Sequence, residues 1–427
     1  MRRNHNVGIL CGAQWILGFD RGILSKVFPY YARFVRWPNR GLLTILLSLA
    51  TDSRKLRITL AIGSIENAGG SERSLTMLAN SWAEMGRAVT ILTFDRAHVP
   101  AYSLHSSINL CHLSLYGWSR GWLQRARRIL WRNSVLRQAI RGSRPDIIVS
   151  FTPEANVRSI LATRGLHIPV IVSERNDPSL CYIGKKWENL RRVAYPFAEM
   201  LVCQTGAALT KFQKMIKVNG AVIPNLIAVP RAWIPQRVAK DVEKRDYVLV
   251  AMGRLVPQKG FDILLRAFAQ IMQRHSSWSL KILGTGPLRD DLQKLTEHLN
   301  MTGRVHFAGL RMEPFADLCQ ANLFVLSSRF EGFPNALCEA MACGLPAVSF
   351  DCPSGPSDIV RDGVDGILVP PEDCGALAGV LDNLMTDRAK RERLASRAPE
   401  IVQRFAVERV LALWDKAFAE VQCESHW

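Results

Sequence analysis

Short apolar runs recur along the chain, each closed by Gly, Pro, Asn or Asp and followed by a stretch with helical spacing. They fall at residues 56–62, 89–94, 108–115, 146–151, 169–173 and 201–205, then at 247–252, 279–283, 305–309, 322–326 and 345–350. Most are apolar throughout rather than alternating, as expected of strands covered on both faces of a parallel sheet. The helical stretches between them include 74–85 and 120–144, and an amphipathic helix is predicted over 407–421. The pattern predicts an α/β protein in which strand and helix alternate in two successive sets, each a doubly wound parallel sheet.

A chain of 427 residues has room for two or three domains. The predicted division is a basic extension over 1–54, a first domain over 55–237, a second over 238–405, and a terminal helix and tail over 406–427. Within the extension, Arg2-Arg3 ahead of an apolar stretch imitates a secretory leader, but Gln14 interrupts it and no clean cleavage site follows. Residues 42–50 are apolar but too short for a membrane span, which needs about 20 residues. The extension reads either as a disordered or membrane-touching segment or as sequence upstream of the true start. The charged, proline-bearing segment 230–245 reads as the linker between domains.

Charge changes this picture by halves. Residues 1–237 carry 33 Lys and Arg against 12 Asp and Glu, and residues 238–427 carry 22 against 25. A basic half joined to a nearly neutral one points to an anionic partner: a lipid surface, a diphosphate-bearing acceptor or nucleic acid. The basic character peaks over 120–144, with eight Arg and no acid. There Trp122, Ala126, Ile129, Leu136 and Ile140 share one helical face, which reads as a packing helix or as an interfacial one. The ten Cys form no C-x-x-C and no zinc spacing, which fits reduced thiols in a cytosolic protein. With no metal spacing among Cys and His and no D-x-D, no metal is expected.

The polar motifs gather at the ends of the apolar runs. The strand at 322–326 leads into Ser327-Ser328-Arg329-Phe330-Glu331-Gly332-Phe333-Pro334-Asn335-Ala336-Leu337-Cys338-Glu339. Pro334 suits the start of a helix that Gly344 ends. That places Glu331 in a loop at a strand's carboxyl end and Glu339 inside the helix behind it. The free amides from Phe333 to Leu337 would face an anion. Two carboxylates beside free amides suit a ligand bearing both phosphates and hydroxyls. Gly69-Gly70 follows the first strand, with Ser71 expected to cap the next helix. Arg254 and Lys259 follow the strand at 247–252, Gly284 the strand at 279–283, Glu174 the strand at 169–173, and Asp351 the strand at 345–350. Loops of this kind line the carboxyl edges of two sheets, and facing those edges together would surround one cleft.

Glu331 and Glu339, embedded in EGFPNALCEAMACGLP, resemble the E-x7-E motif of the family 4 retaining glycosyltransferases. The resemblance extends over residues 55–420. It implies the GT-B fold: two Rossmann-like domains facing across a cleft, with a terminal helix crossing back to the first. It also implies transfer, with retention, of a hexose or N-acetylhexosamine from a UDP-sugar, with no cofactor beyond that nucleotide-sugar substrate. Gly253-Arg254-Leu255 with Lys259-Gly260 resembles the family's G-R-L-x-x-x-K-G, in which Arg254 and Lys259 would hold the donor diphosphate. Gly69 and Gly70 would lie near that diphosphate too. Gly284 marks a glycine loop after its strand, and Gly309 would lie beside the base. Glu331 would hold sugar hydroxyls, Gly332, Phe333, Pro334, Asn335, Ala336 and Leu337 the phosphates, and Glu339 the ribose.

The run Ser173-Glu174-Arg175-Asn176-Asp177-Pro178 is similar to the acceptor-side loop of a subgroup that builds bacterial polysaccharides and lipid-linked oligosaccharides. Many relatives carry a His near this point that touches the donor sugar. Glu174 is the substitute here, or else a helix cap. The implied acceptor is an undecaprenyl-diphosphate-linked glycan in exopolysaccharide or envelope polysaccharide synthesis. Arg125, Arg128 and Arg132 would then dock on an anionic membrane, placing the protein in the cytoplasm, peripheral on the inner face of the cytoplasmic membrane. Two other readings remain: a sugar-nucleotide epimerase of the same architecture, and a basic nucleic-acid-binding protein. No nucleic-acid motif is present, so nucleic acid is not expected as a partner.

Overall fold

A computed structural model describes residues 55–66, 69–117, 122–178, 182–227 and 246–424. The extension 1–54 and the linker 230–245 lie outside the described residues. The first sheet takes β1 (Arg57–Ile62), β2 (Ala88–Thr93), β3 (Asn109–His112), β4 (Ile147–Phe151), β5 (Val170–Glu174), β6 (Met200–Cys203) and β7 (Gly220–Val222) in the order β3-β2-β1-β4-β5-β6-β7. The second takes β8 (Tyr247–Met252), β9 (Trp278–Leu283), β10 (Val305–Gly309), β11 (Leu323–Leu326), β12 (Ala347–Phe350) and β13 (Gly366–Val369) in the order β10-β9-β8-β11-β12-β13. Every pairing is parallel, with Leu60 opposite Ile91 in the first sheet and Val250 opposite Phe324 in the second.

Parallel strands need crossovers, and the helices that supply them cover both faces of each sheet. The strands are therefore apolar on both sides: Ile58, Leu60 and Ile62 face one core, and Ala61 with Ile148 faces another. The second sheet repeats this, with Leu249 and Ala251 on one side and Val250 and Phe324 on the other. In each sheet strand order reverses beside the first strand, between β1 and β4 and between β8 and β11. Such switch points leave a crevice at the strands' carboxyl ends.

The terminal helix Val407–Glu424 returns to the first domain. Val410, Trp414, Phe418 and Val421 are buried in the core formed by β1 and the helix Gly70–Glu84. Trp82 meets Trp414 edge-on at 5.7 Å and Phe418 at 5.4 Å, and Arg87 Nη2 reaches Asp415 Oδ1 at 2.7 Å. Residues from Leu56 onward form one compact unit.

The basic helix spans Trp122–Ser143. Its expected single apolar face needs correction: Leu136 and Ile140 are buried, but Ile129 is 57% exposed. Among the described side chains the stripe meets the core from Val135 onward, and Ile129, Leu130 and Trp131 stay exposed. Arg132 Nη2 donates to the carbonyl of Gly117 at 2.9 Å, while the side chain of Arg125 lies outside the described part. Among the described residues no helix is long and apolar enough to cross a membrane.

Candidate active site

The loops after β8 and β11 leave neighbouring strands at the second switch point, which brings Lys259 to Glu331. Lys259 Nζ lies 2.5 Å from Glu331 Oε1, and Ser328 Oγ donates to the same oxygen at 2.6 Å. Ser354 Oγ, in the loop after β12, donates to the Glu331 carbonyl at 2.5 Å and braces the loop from behind. Gly260 follows Lys259 with φ of 60° and sits against the carbonyl of Ser327 so closely that a Cβ would not fit. A residue with a side chain there would push the two loops apart.

Glu339 lies on the helix Asn335–Ala342 and is buried. Burial raises its carboxyl above the ordinary 4.5, and Arg73 opposes the rise. Arg73 Nη1 approaches Oε1 at 2.8 Å, whereas Oε2 has no partner. A buried acceptor without a donor is costly, so this oxygen is suited to a ligand hydroxyl. The helix's first amides, on Asn335 and Ala336, have no backbone acceptor within the helix. Leu337 departs from expectation. Its amide donates to the Pro334 carbonyl at 3.0 Å and its side chain is in the core, because the turn at Pro334 has already closed.

These residues line a cleft of about 690 Å³ between the sheets. Its wall includes Gly69, Gly70, Arg254, Lys259, Gly284, Glu331, Gly332, Phe333, Pro334, Asn335, Ala336 and Glu339 from the expected set. Gly309 does not line it. A bulge between Phe307 and Gly309 turns the Gly309 carbonyl onto the amide of Gly284 at 2.8 Å, and Leu310 reaches the cleft instead. The Asp351 loop is also outside the wall and meets the site through Ser354 and through Gly355, which packs against Gly332 and Pro334. Ser71 is not the helix cap: Gly69 takes that position, and Ser71 lies in the first turn, on the cleft wall.

Glu174 is the main correction. It is 4% exposed and absent from the cleft wall. The phenol of Tyr195 donates to it and Arg191 Nη1 lies 3.7 Å away. Burial raises its carboxyl, with Arg191 and the phenol bond opposing. The reason is strand parity. β5 runs one residue beyond the expected end, so Glu174 shares the face of Val170 and Val172 that packs on Tyr195, and the next residue, Arg175, is the one on the cleft wall.

Arg175 had no expected role, yet it lines the cleft with Asn176, Gln204 and Asn225. Its Nη1 donates to Asn225 Oδ1 at 2.7 Å, and Asn225 Nδ2 donates across the cleft to Asn335 Oδ1 at 2.7 Å. The guanidinium lies 4.3 Å from the centroid of the Phe151 ring, and burial pushes its pKa down to about 9. Gly332 abuts the Arg175 carbonyl with no room for a side chain. The sequence signal for Arg175 was its place in the run from Ser173 to Pro178 that resembles an acceptor-side loop.

Two switch-point crevices face one another across this cleft, with Lys259 paired to Glu331 and Arg73 to Glu339, an arrangement in which doubly wound folds bind their ligands. Family models described as "Glycosyltransferase Family 4" and "Glycosyl transferases group 1" match residues 68–230 and 235–401. The chain belongs to the family 4 glycosyltransferases and has the GT-B fold. It is 30% identical over 287 residues to an exopolysaccharide phosphotransferase of Streptomyces coelicolor, a stretch that is 67% of this chain and 30% of that longer protein. It is 27% identical, over 86% of its length and 99% of the relative's, to an N-acetyl-D-galactosaminyltransferase of Campylobacter jejuni whose name specifies a PP-undecaprenol-linked acceptor. The HepE protein of Anabaena, solved with UDP and glucose, shares the fold at a TM-score of 0.69 and 20% identity, over 85% of this chain and 99% of that one.

Proposed function

We propose that this glycosyltransferase moves a hexose or N-acetylhexosamine from a UDP-sugar, with retention, to an undecaprenyl-diphosphate-linked glycan in bacterial polysaccharide synthesis. The observation that carries this reading is the set of Arg254, Lys259, Glu331 and Glu339 around one cleft, with Glu339 Oε2 lacking a donor. Lys259, held by Glu331, and Arg254 on the cleft wall would offset the charge that develops on the departing diphosphate, in the place of a metal. The amides at Asn335 and Ala336 would add to phosphate binding. Glu331, held by Lys259 and Ser328, would orient sugar hydroxyls, and Glu339 would accept from the ribose. Because Glu174 faces the interior, Arg175 and Asn176 replace it as the first domain's contribution. The acceptor attacks from the face the diphosphate leaves, and its proton passes to the departing phosphate oxygen. The new glycosidic bond and the broken sugar–phosphate bond then balance without an enzyme nucleophile.

The acceptor assignment draws on the Campylobacter relative and on the outer face of the helix Trp122–Ser143, where Ile129, Leu130 and Trp131 stand exposed beside Arg128 and Arg132. That face suits the inner surface of an anionic cytoplasmic membrane. The test is a donor screen. UDP- and GDP-sugars are assayed for nucleotide release with and without a bacterial lipid-linked sugar fraction, beside Glu331→Ala and Lys259→Ala. Release that requires the lipid fraction and falls at least tenfold in both variants supports the reading. Unchanged release in the variants overturns the site, and a product of inverted configuration overturns the mechanism.

A further inference from the structure

Two residues of the first domain occupy the donor cleft. Arg73 spans it to Glu339, and the pair is only partly open to solvent, with side chains 19% and 7% exposed. The neighbouring Glu72 folds back over the start of its own helix. Its Oε2 takes the space a Cβ on Gly69 would need, and its own amide hydrogen-bonds the carboxylate. Burial raises this carboxyl above 4.5, and among side chains Arg254, from the opposite sheet, favours its charged form. The guanidinium of Arg73 thus stands against the group assigned above to the ribose, and Glu72 lines the same cleft as Arg254, the group assigned to the diphosphate.

We infer that Glu72 and Arg73 are internal competitors of the donor nucleotide and set its affinity. Glu72 holds the place of a diphosphate oxygen, at a helix start and within reach of the field of Arg254. Arg73 holds the place of the ribose on Glu339. The inference rests on the donor reading of Arg254 and Glu339. The exchange is chemically matched. Arg73 satisfies Oε1 alone and leaves Oε2 without a donor, whereas two vicinal hydroxyls satisfy both oxygens. Diphosphate in place of Glu72 removes a carboxylate held against its solvation preference. Arg73, while paired with Glu339, already lies 5.9 Å from the Tyr102 ring centroid on the cleft wall, and its release would let it turn to the incoming phosphates.

Uridine and UDP separate the two contacts, because uridine carries the ribose and no phosphate. Isothermal titration of the full chain with each, for the wild type, Arg73→Met and Glu72→Gln, tests the inference. Arg73→Met is expected to bind uridine at least threefold tighter. Glu72→Gln is expected to bind UDP at least threefold tighter and uridine unchanged. Should Arg73→Met fail to fold, Arg73→Lys, a poorer fit to a carboxylate, carries the same sign with a smaller shift. Folded variants whose affinities are unchanged or weaker overturn the inference and leave the donor reading standing. A wild type that binds neither UDP nor GDP overturns both.

Discussion

At the scale of single residues, environment separates four glutamates of one chemical type. Glu331 is held in the cleft by Lys259 and Ser328, Glu339 is half-satisfied by Arg73, Glu72 lies over a helix start, and Glu174 is turned into the interior. Glu174→Gln keeps an acceptor for the Tyr195 phenol, so transfer is expected to stay within about twofold of wild type. Glu174→Ala leaves Arg191 buried without this partner and is expected to lower stability by about 3 kcal/mol, read by urea denaturation. The Glu339 carboxyl, raised by burial, holds its proton more tightly folded than unfolded, so it contributes to stability at low pH, and that contribution is lost as pH rises through its folded value. Ligand binding runs the other way, since the ionised form accepts both ribose hydroxyls. UDP affinity is therefore expected to begin falling above pH 4.5 on acidification, and titration of Glu339→Gln across the same range should lack that limb.

At the scale of elements, the helix Trp122–Ser143 divides along its length. Its later turns bury Leu136 and Ile140 under the first sheet, and its earlier turns expose Ile129, Leu130 and Trp131. Of the described stripe residues Ile129 stays exposed, and this part of the helix is the one proposed above to meet a membrane. Each Lys or Arg near an anionic membrane contributes about 1 kcal/mol. Reversing both Arg128 and Arg132 to Glu is expected to lower partition onto anionic vesicles at least tenfold, read by co-sedimentation, while binding to neutral vesicles changes little. Equal loss on both vesicle types would count against an electrostatic contact.

At the scale of the whole molecule, the terminal helix decides how the chain closes. Trp414 is 1% exposed between Trp82 and Phe418. Trp414→Ala is expected to cost about 3–5 kcal/mol, measured by denaturation, and to lower transfer by loosening the first domain's loop at Gly69. The sequence alone determined the two parallel sheets, because a strand covered on both faces must be apolar throughout. It also determined the loops at Arg254, Lys259 and Glu331, with Glu339 on the helix behind the last, because polar motifs closing apolar runs lie at sheet edges. Which side chain of a loop enters the cleft was decided by tertiary structure. One extra residue in β5 exchanged Glu174 for Arg175, a bulge in β10 withdrew Gly309 behind Leu310, and Leu337 spent its amide on the turn at Pro334. The same holds for the meeting of Arg73 with Glu339, residues 266 positions apart in sequence. Local spacing carries periodicity, whereas contacts across a cleft follow from how two separately folded sheets are placed, which no local pattern encodes.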